Sequence, residues 1–233
     1  MSGVGSLGWA LRATVPNSRV EVQAVPLAPA IQLFLIACDY PRGPLPREAM
    51  AVIMERPAYW AFCWASGQAL ARHLLDHPQL VRGKRVLDFG SGSGVVGIAA
   101  AIAGAAQVTA CDLDPSARLA TQVNAAHNGV NITIAGAVDI DQIGVNDGAI
   151  YDVVLIADVL YDISNLPLLR RFTTVVPDIF IADSRVKSIP LPGITVIAKY
   201  ETATVPDLDE SAEFRRVSIY RWCKAGADQK LAQ

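Results

Sequence analysis

A chain of 233 residues with a formal net charge of −2, from 20 basic and 22 acidic residues, suits one α/β core with an extension and carries no overall field that would draw it to nucleic acid or an anionic membrane. Its four cysteines, Cys38, Cys63, Cys111 and Cys223, are scattered, with no C-x-x-C and no Cys/His spacing of a zinc site, so reduced thiols, a cytoplasmic setting and no metal are expected. The most apolar run, Val95 to Cys111, is divided by Gly104 and falls short of the roughly 18–20 residues of a membrane span, which predicts a buried helix and then a buried strand.

In chain order, MSGVGSLGWALRATVPNS holds no apolar signal region and no Arg-rich transit pattern, and is expected to form a loose arm. The run VEVQAVPLAPAIQLFLIAC reads as a β-hairpin around a proline-containing turn. Four prolines punctuate PRGPLPREAMAVIMERPAYW, leaving room for one short helix over Arg47 to Met54 in a connector. Beyond it, Ala69, Leu70, His73, Leu74 and His77 recur at helical spacing behind Ser66, the expected N-cap.

Strands and helices then alternate. A strand over Arg85 to Phe89 leads to a helix over Gly94 to Ala103, a strand over Gln107 to Cys111, and a helix opened by Asp114-Pro115, a capping acid followed by proline. NITIAG, YDVVLIADVLY and DIFIAD supply three more strands, with a helix near Asn165 to Thr174, and GITVIAKYE with EFRRVSIYRWC forms a terminal β-pair. The order predicts an α/β, doubly wound, Rossmann-like sheet of seven mostly parallel strands, an antiparallel strand at its end, and an N-terminal hairpin-plus-helix extension. The expected division is residues 1–56 as arm, hairpin and connector, 57–225 as the main domain, and 226–233 as a flexible tail.

The sharpest motif is RVLDFGSGSGVVG, with Gly92, Gly94 and Gly97 in G-x-G-x-x-G spacing. In a doubly wound sheet this strand-to-helix loop is the expected floor of a ligand site, and Gly90 and Gly92 let the backbone come close to the guest. No G-K-[ST] follows, which excludes a P-loop. Asp112, twenty residues after Gly92, is placed to accept both ribose hydroxyls, a requirement that NAD and S-adenosylmethionine share. Asp88, two residues before Gly90, puts an anion near the guest; a pyrophosphate is repelled there, and a sulfonium or ammonium attracted. A Ser/His/Asp hydrolase is disfavoured because Gly92, not serine, stands at the centre of GSGSG. His73, His77 and His127 have no ligand-like spacing.

VLDFGSGSG followed by ACDLDP resembles the first two motifs of the class I, seven-strand S-adenosylmethionine-dependent methyltransferases. YWAFCWASGQALARHLLDHPQLVRGKRVLDFGSGSG and DVLYD extend the likeness to their lysine methyltransferase branch, over roughly Pro26 to Asp183. Within it, the electron transfer flavoprotein β-subunit lysine methyltransferases are the nearest pattern, with relatives often labelled nicotinamide N-methyltransferase-like. The resemblance implies S-adenosylmethionine as cofactor, with Trp64 walling its methionine side, Ser91 in the glycine loop, and Leu113 packing on the adenine. Many family members place an acid for the adenine amino group where this chain has Ala137, so adenine contacts are expected to be partly through backbone.

The family's D-x-x-Y motif falls on Asp158 and Tyr161, at the sheet edge where the methyl acceptor arrives. An ammonium has no lone pair to attack with, and a carboxylate raises rather than lowers an amine's pKa, so Asp158 is expected to orient the amine. Asp183, at the next strand end, is a weaker candidate, and Asp162 an expected helix-terminal charge. The implied partner is a protein substrate, the flavoprotein β-subunit; the alternatives are a small amine or heterocycle, and a cofactor-binding protein without catalysis. Only SRVKSIPLPG separates Asp183 from the next strand, too short for the helix that usually stands there.

Overall fold

A computed structural model describes residues 3–40, 43, 47–145, 150–160 and 163–224. The chain runs α1 (Gly3–Thr14), β1 (Val20–Val25), β2 (Ala28–Ile36), α2 (Arg47–Glu55), α3 (Ala65–Asp76), β3 (Arg85–Phe89), α4 (Val95–Ile102), β4 (Gln107–Cys111) and α5 (Pro115–His127). It continues through β5 (Thr133–Ala135), β6 (Val153–Ala157), α6 (Leu166–Val175), β7 (Asp178–Asp183), β8 (Thr195–Glu201) and β9 (Arg216–Cys223). One seven-stranded sheet has the order β5-β4-β3-β6-β7-β9-β8. Its first five strands are parallel, and β9 runs antiparallel to both β7 and β8. The seven-stranded, mostly parallel sheet expected from the sequence is present.

The central strands are apolar on both faces because helices and the hairpin cover both. Along β6 and β7, Val153, Leu155, Phe180 and Ala182 turn to a core shared with α3, α4 and β2. Their alternates, Val154, Ile156, Ile179 and Ile181, turn to a second core with Leu169 and Phe172 of α6. The β1–β2 hairpin is a separate two-stranded sheet, and its Leu33 and Leu35 join the first core. Strand β3 lies between β4 and β6, so chain order reverses at its carboxyl end, where an open α/β sheet leaves a crevice.

The expected loose arm is instead helix α1. Leu7 and Leu11, one turn apart and fully buried, pack with Trp60 and with Ala117 and Ala120 of α5. Three glycines in a dozen residues hid it, since each weakens a helix in isolation. One of them has a packing reason: a Cβ at Gly3 would stand 2.8 Å from Val123 Cγ2, so tertiary contact, which propensity does not contain, decides this element.

The cap of α3 also differs from expectation. The helix starts at Ala65, Trp64 holds the cap position with no side-chain bond, and Ser66 is already inside and fully buried. Its hydroxyl is used elsewhere, as described below. Asp114, by contrast, caps α5 as expected, accepting from the Ser116 N–H at 2.8 Å.

Residues 184–194, all described, form no helix between β7 and β8. Ile189 and Leu191 are buried in the second core in its place, so the shortened connection seals the sheet with side chains.

Candidate active site

The glycine loop is built from three left-handed residues, Gly90 (φ +76°), Gly92 (+51°) and Gly94 (+84°), and they serve different ends. A Cβ at Gly90 would meet Val159 Cγ2 at 2.7 Å, and one at Gly94 would meet Thr121 at 2.9–3.1 Å, whereas nothing lies within 4 Å of a Cβ at Gly92. Close approach is to neighbouring protein at the first and third glycines and to open space at the second. The loop is tied down by its own backbone: the Gly90 and Ser91 N–H groups donate to the Cys111 carbonyl at 2.9 and 3.0 Å, and the Gly94 N–H to that of Ser91 at 2.7 Å.

Helix α5 staples it from outside. Thr121 Oγ1 donates to the Gly92 carbonyl at 3.2 Å and contacts Ser91 Oγ at 3.1 Å, and Asn124 Nδ2 donates to the Ser93 carbonyl at 2.8 Å. Asn124 Oδ1 also accepts from the Phe34 N–H at 2.7 Å, tying the N-terminal hairpin to the loop. Sequence reasoning missed both residues. The available signal was two polar residues at i, i+3 on the face where Ala117, Ala120 and Ala125 are buried.

Asp88 is buried, and its Oδ2 accepts from the Gly97 N–H at 2.9 Å. Gly97 is required there, since a Cβ would come within 2.9 Å of that oxygen. Burial pushes the Asp88 carboxyl up to about 7, against the lowering effect of the Gly97 bond. A cation entering the crevice would favour its ionised form. Asp112 splits its carboxylate between the Gly92 and Asp114 N–H groups, each at 2.9 Å. Burial raises its pKa, and those two bonds oppose the rise. Each oxygen keeps a lone pair for a hydroxyl, so the ribose role fits the geometry. Arg118 Nη1 donates to the Asp112 and Leu113 carbonyls at 2.9 and 3.0 Å and holds that turn.

Leu113 stands 81% exposed, an apolar face with no protein cover. Ala137 is exposed beyond β5, and nearby Asp139 caps a short turn by accepting from the Asp141 N–H at 3.1 Å, so that acid is occupied. Trp64 is partly buried and its Nε1 donates to the Tyr59 carbonyl at 2.9 Å. Trp60 is a core residue.

A crevice joins these parts, lined by Trp64, Gly67, Asp88, the loop from Gly90 to Ser93, Val95, Val96, Ala157 and Asp158. Asp158 thus reaches the same cleft from the end of β6. Its backbone is left-handed (φ +51°), uncommon for a residue other than glycine, and it ends the strand. Its Oδ1 accepts from Ser66 Oγ at 2.6 Å. Desolvation pushes the Asp158 carboxyl up to about 7, the Ser66 bond opposes the rise, and the Asp183 charge adds to it. Tyr161 and Asp162 lie outside the described residues.

A larger apolar cleft between α6 and the 189–191 segment, lined by Leu166, Leu169, Ile189 and Leu191 among others, offers one charged group, Arg170, and no acid or nucleophile. No group of three or more His, Cys, Asp or Glu side chains placed to hold a metal occurs among the described residues. No helix among them is long and apolar enough to cross a membrane.

A family model described as ribosomal protein L11 methyltransferase (PrmA) matches residues 69–175, which contain the glycine loop, Asp112 and Asp158. The fold matches a crystal structure from Pyrococcus horikoshii, described as a candidate RNA methyltransferase, with a TM-score of 0.50 at 16% identity, over 77% of this chain and 99% of that one. This is the class I S-adenosylmethionine-dependent methyltransferase fold. Among curated proteins, the chain is 37% identical over 164 residues to the human electron transfer flavoprotein β-subunit lysine methyltransferase, covering 69% of this chain and 59% of the relative. It is 40% identical over 136 residues to the mouse protein of the same name, covering 58% and 51%. The ribosomal protein L11 methyltransferase of Vibrio cholerae is 46% identical over 87 residues, covering 37% and 28%. The chain therefore spans about half to three-fifths of the length of the flavoprotein-directed relatives.

Proposed function

We propose that the protein is an S-adenosylmethionine-dependent N-methyltransferase that methylates a lysine side chain of a protein substrate, the electron transfer flavoprotein β-subunit being the substrate its relatives' names support. The observation that carries the reading is the crevice in which the Gly90–Ser93 loop and Asp88 meet the Ser66–Asp158 pair: one end suits an adenosyl cation and the other an amine.

S-adenosylmethionine, when bound, supplies a methyl group on an electrophilic sulfonium. Asp112 would take the ribose hydroxyls, Leu113 and the backbone at Ala137 would bound the adenine, Gly90, Ser91 and Gly92 would hold the methionyl chain, and Trp64 and Asp88 its cationic end. Asp158, held by Ser66, accepts an N–H from the acceptor amine and aims its lone pair; Tyr161 is assigned to the same step from the D-x-x-Y motif alone. Positioning and exclusion of water are the main tasks, because the methyl transfer is an in-line displacement. In this reading residues 57–225 form the methyltransferase domain, 1–56 an extension packed on it, and the protein works in the cytoplasm.

The test is incubation with methyl-labelled S-adenosylmethionine and a methylation-deficient cell extract, followed by mass spectrometry. Label on a lysine of the flavoprotein β-subunit is expected. Label only in small molecules overturns the protein-substrate reading, and tight cofactor binding without any transfer overturns catalysis itself.

A further inference from the structure

Asp158 follows β6, and Asp183 is the last residue of its parallel neighbour β7. Ala157 pairs with Ala182, and the Asp158 N–H donates to the Ala182 carbonyl at 3.2 Å, so the two residues are neighbours at the carboxyl edge of the sheet, close enough for the Asp183 charge to act on Asp158. They are anchored differently. Asp158 takes the Ser66 hydroxyl at 2.6 Å. Asp183 is 2% exposed, and its Oδ1 accepts from the N–H groups of Arg185 and Val186, both at 2.7 Å. Its Oδ2 is buried with no partner at full hydrogen-bond geometry among the described residues, and the Leu160 N–H, like those of Arg185 and Val186, favours the ionised carboxyl. A buried carboxylate oxygen left without a well-placed donor costs free energy that a purely structural Asp would not need to spend.

The groups facing the pair come from every side. Ser66 and the Cys63 thiol approach from α3 and the residues before it; burial first, and then the Asp158 charge, push that thiol above its usual range. Tyr220 of β9 feels the Asp183 charge and donates its hydroxyl to the Val186 carbonyl at 3.1 Å. Arg185 favours the ionised form of both acids. It is also engaged by Glu210 at 2.7 Å and lies 4.2 Å over the Phe214 ring, so its charge is shared with that third carboxylate. Desolvation and then the Asp183 charge therefore raise Asp158 at this partly dry edge, against the Ser66 bond and the Arg185 charge.

We propose that Asp183 is a positioning residue that couples to Asp158, so that the pair takes up one proton from an arriving ammonium and holds it while the neutral amine reacts. The proposal rests on the reading that the acceptor is an amine. An N–H bond of the ammonium breaks and its electron pair stays on nitrogen; the proton forms an O–H bond on the Asp158 carboxylate, and the pair passes from two negative charges to one. Asp183 makes that proton welcome, since like charges at close range raise the proton affinity of whichever carboxylate receives it. Asp158 orients the ammonium before the proton passes, and Asp183 adds the basicity that an exposed aspartate lacks. The titration belongs to the two together.

The direct measurement is carboxyl 13C NMR against pH on the full chain without cofactor, with Asp158→Asn to assign the signal. Two coupled transitions are expected in the wild type, the upper one above about pH 6. In Asp183→Asn, which keeps the side-chain shape, the Asp158 midpoint should fall by about one unit or more. With S-adenosylmethionine and an amine acceptor, the same variant should lose about tenfold in kcat, while the acceptor KM stays within about twofold. Its acidic limb should move to lower pH, because Asp158 must be ionised to act and, relieved of its like-charged neighbour, ionises earlier. Asp183→Glu, which restores the charge, should return the limb toward the wild-type position.

An Asp158 midpoint that does not move in Asp183→Asn, or a slower enzyme with an unmoved limb, overturns the proposal. Uncoupled carboxyls in a wild-type protein that methylates amines overturn the pair alone. Coupled carboxyls in a protein that methylates no amine overturn the proton-acceptor role together with the amine reading.

Discussion

The two ends of the crevice are made in different ways. At the end proposed for the cofactor, Asp88, the glycine loop and Asp112 come from two adjacent strands within 25 residues of chain, and both acids are bonded by nearby backbone N–H groups. At the acceptor end, Asp158 is held by Ser66, 92 residues away, and is pressed by Asp183 from the next strand. Backbone donors set a general anchor that tolerates little change; side chains from remote elements set a local field that single substitutions can retune.

The largest separation between the ends should come from Asp158→Ala. Methyl transfer (kcat/KM) should fall about a thousandfold, in the range of a lost acid–base or orienting group, with calorimetric affinity for S-adenosylmethionine within about twofold. Equal loss of both would mean that Asp158 belongs to the cofactor end.

Gly94→Ala tests the rigidity of the grip. A left-handed alanine placed 2.9–3.1 Å from Thr121, including its Cα at 3.0 Å, should cost about 2–4 kcal/mol from strain and overpacking combined. Thermal unfolding should show a fall of roughly 5–15 °C for a chain of this size.

Asp112→Ala should weaken S-adenosylmethionine binding about 10- to 100-fold, through loss of charge-assisted bonds, while an acceptor-site readout such as the Asp158 titration stays in place.

Ser66→Ala should lower kcat about three- to tenfold and move the acidic limb of the rate profile to higher pH. The Ser66 bond favours ionised Asp158, so its removal raises the pH at which the carboxylate forms. A shift to lower pH would contradict that assignment.

Leu113→Ala should have the smallest effect. The side chain is 81% exposed, so unfolding free energy should change by less than about 0.5 kcal/mol, with cofactor affinity about threefold weaker if the leucine covers the adenine face.

Much of the molecule was legible from local chemistry. The sheet could be read because its strands are continuous apolar runs between helical repeats, and the glycine loop because left-handed backbone selects glycine wherever it occurs. The N-terminal helix could not, since Leu7 and Leu11 gain their burial from α5 and Trp60, 49 or more residues away in the chain. Ser66 was misread as a cap for a related reason: a serine before a helical run has two uses, and only its distance from Asp158 chooses between them. Thr121 and Asn124 passed as ordinary helix residues because the loop they staple lies about thirty residues earlier.

The sequence by itself determined the doubly wound order, the place of the glycine loop and the acids on either side of it, because these rest on backbone geometry and short spacings that any fold must respect. The tertiary structure alone decided which oxygen each acid spends, which glycines face protein and which faces open space, and that Asp158 and Asp183 share one partly dry edge. Those are matters of desolvation and of distance between chain-remote groups, and the free energy of a buried charge depends on every neighbour that the fold brings to it.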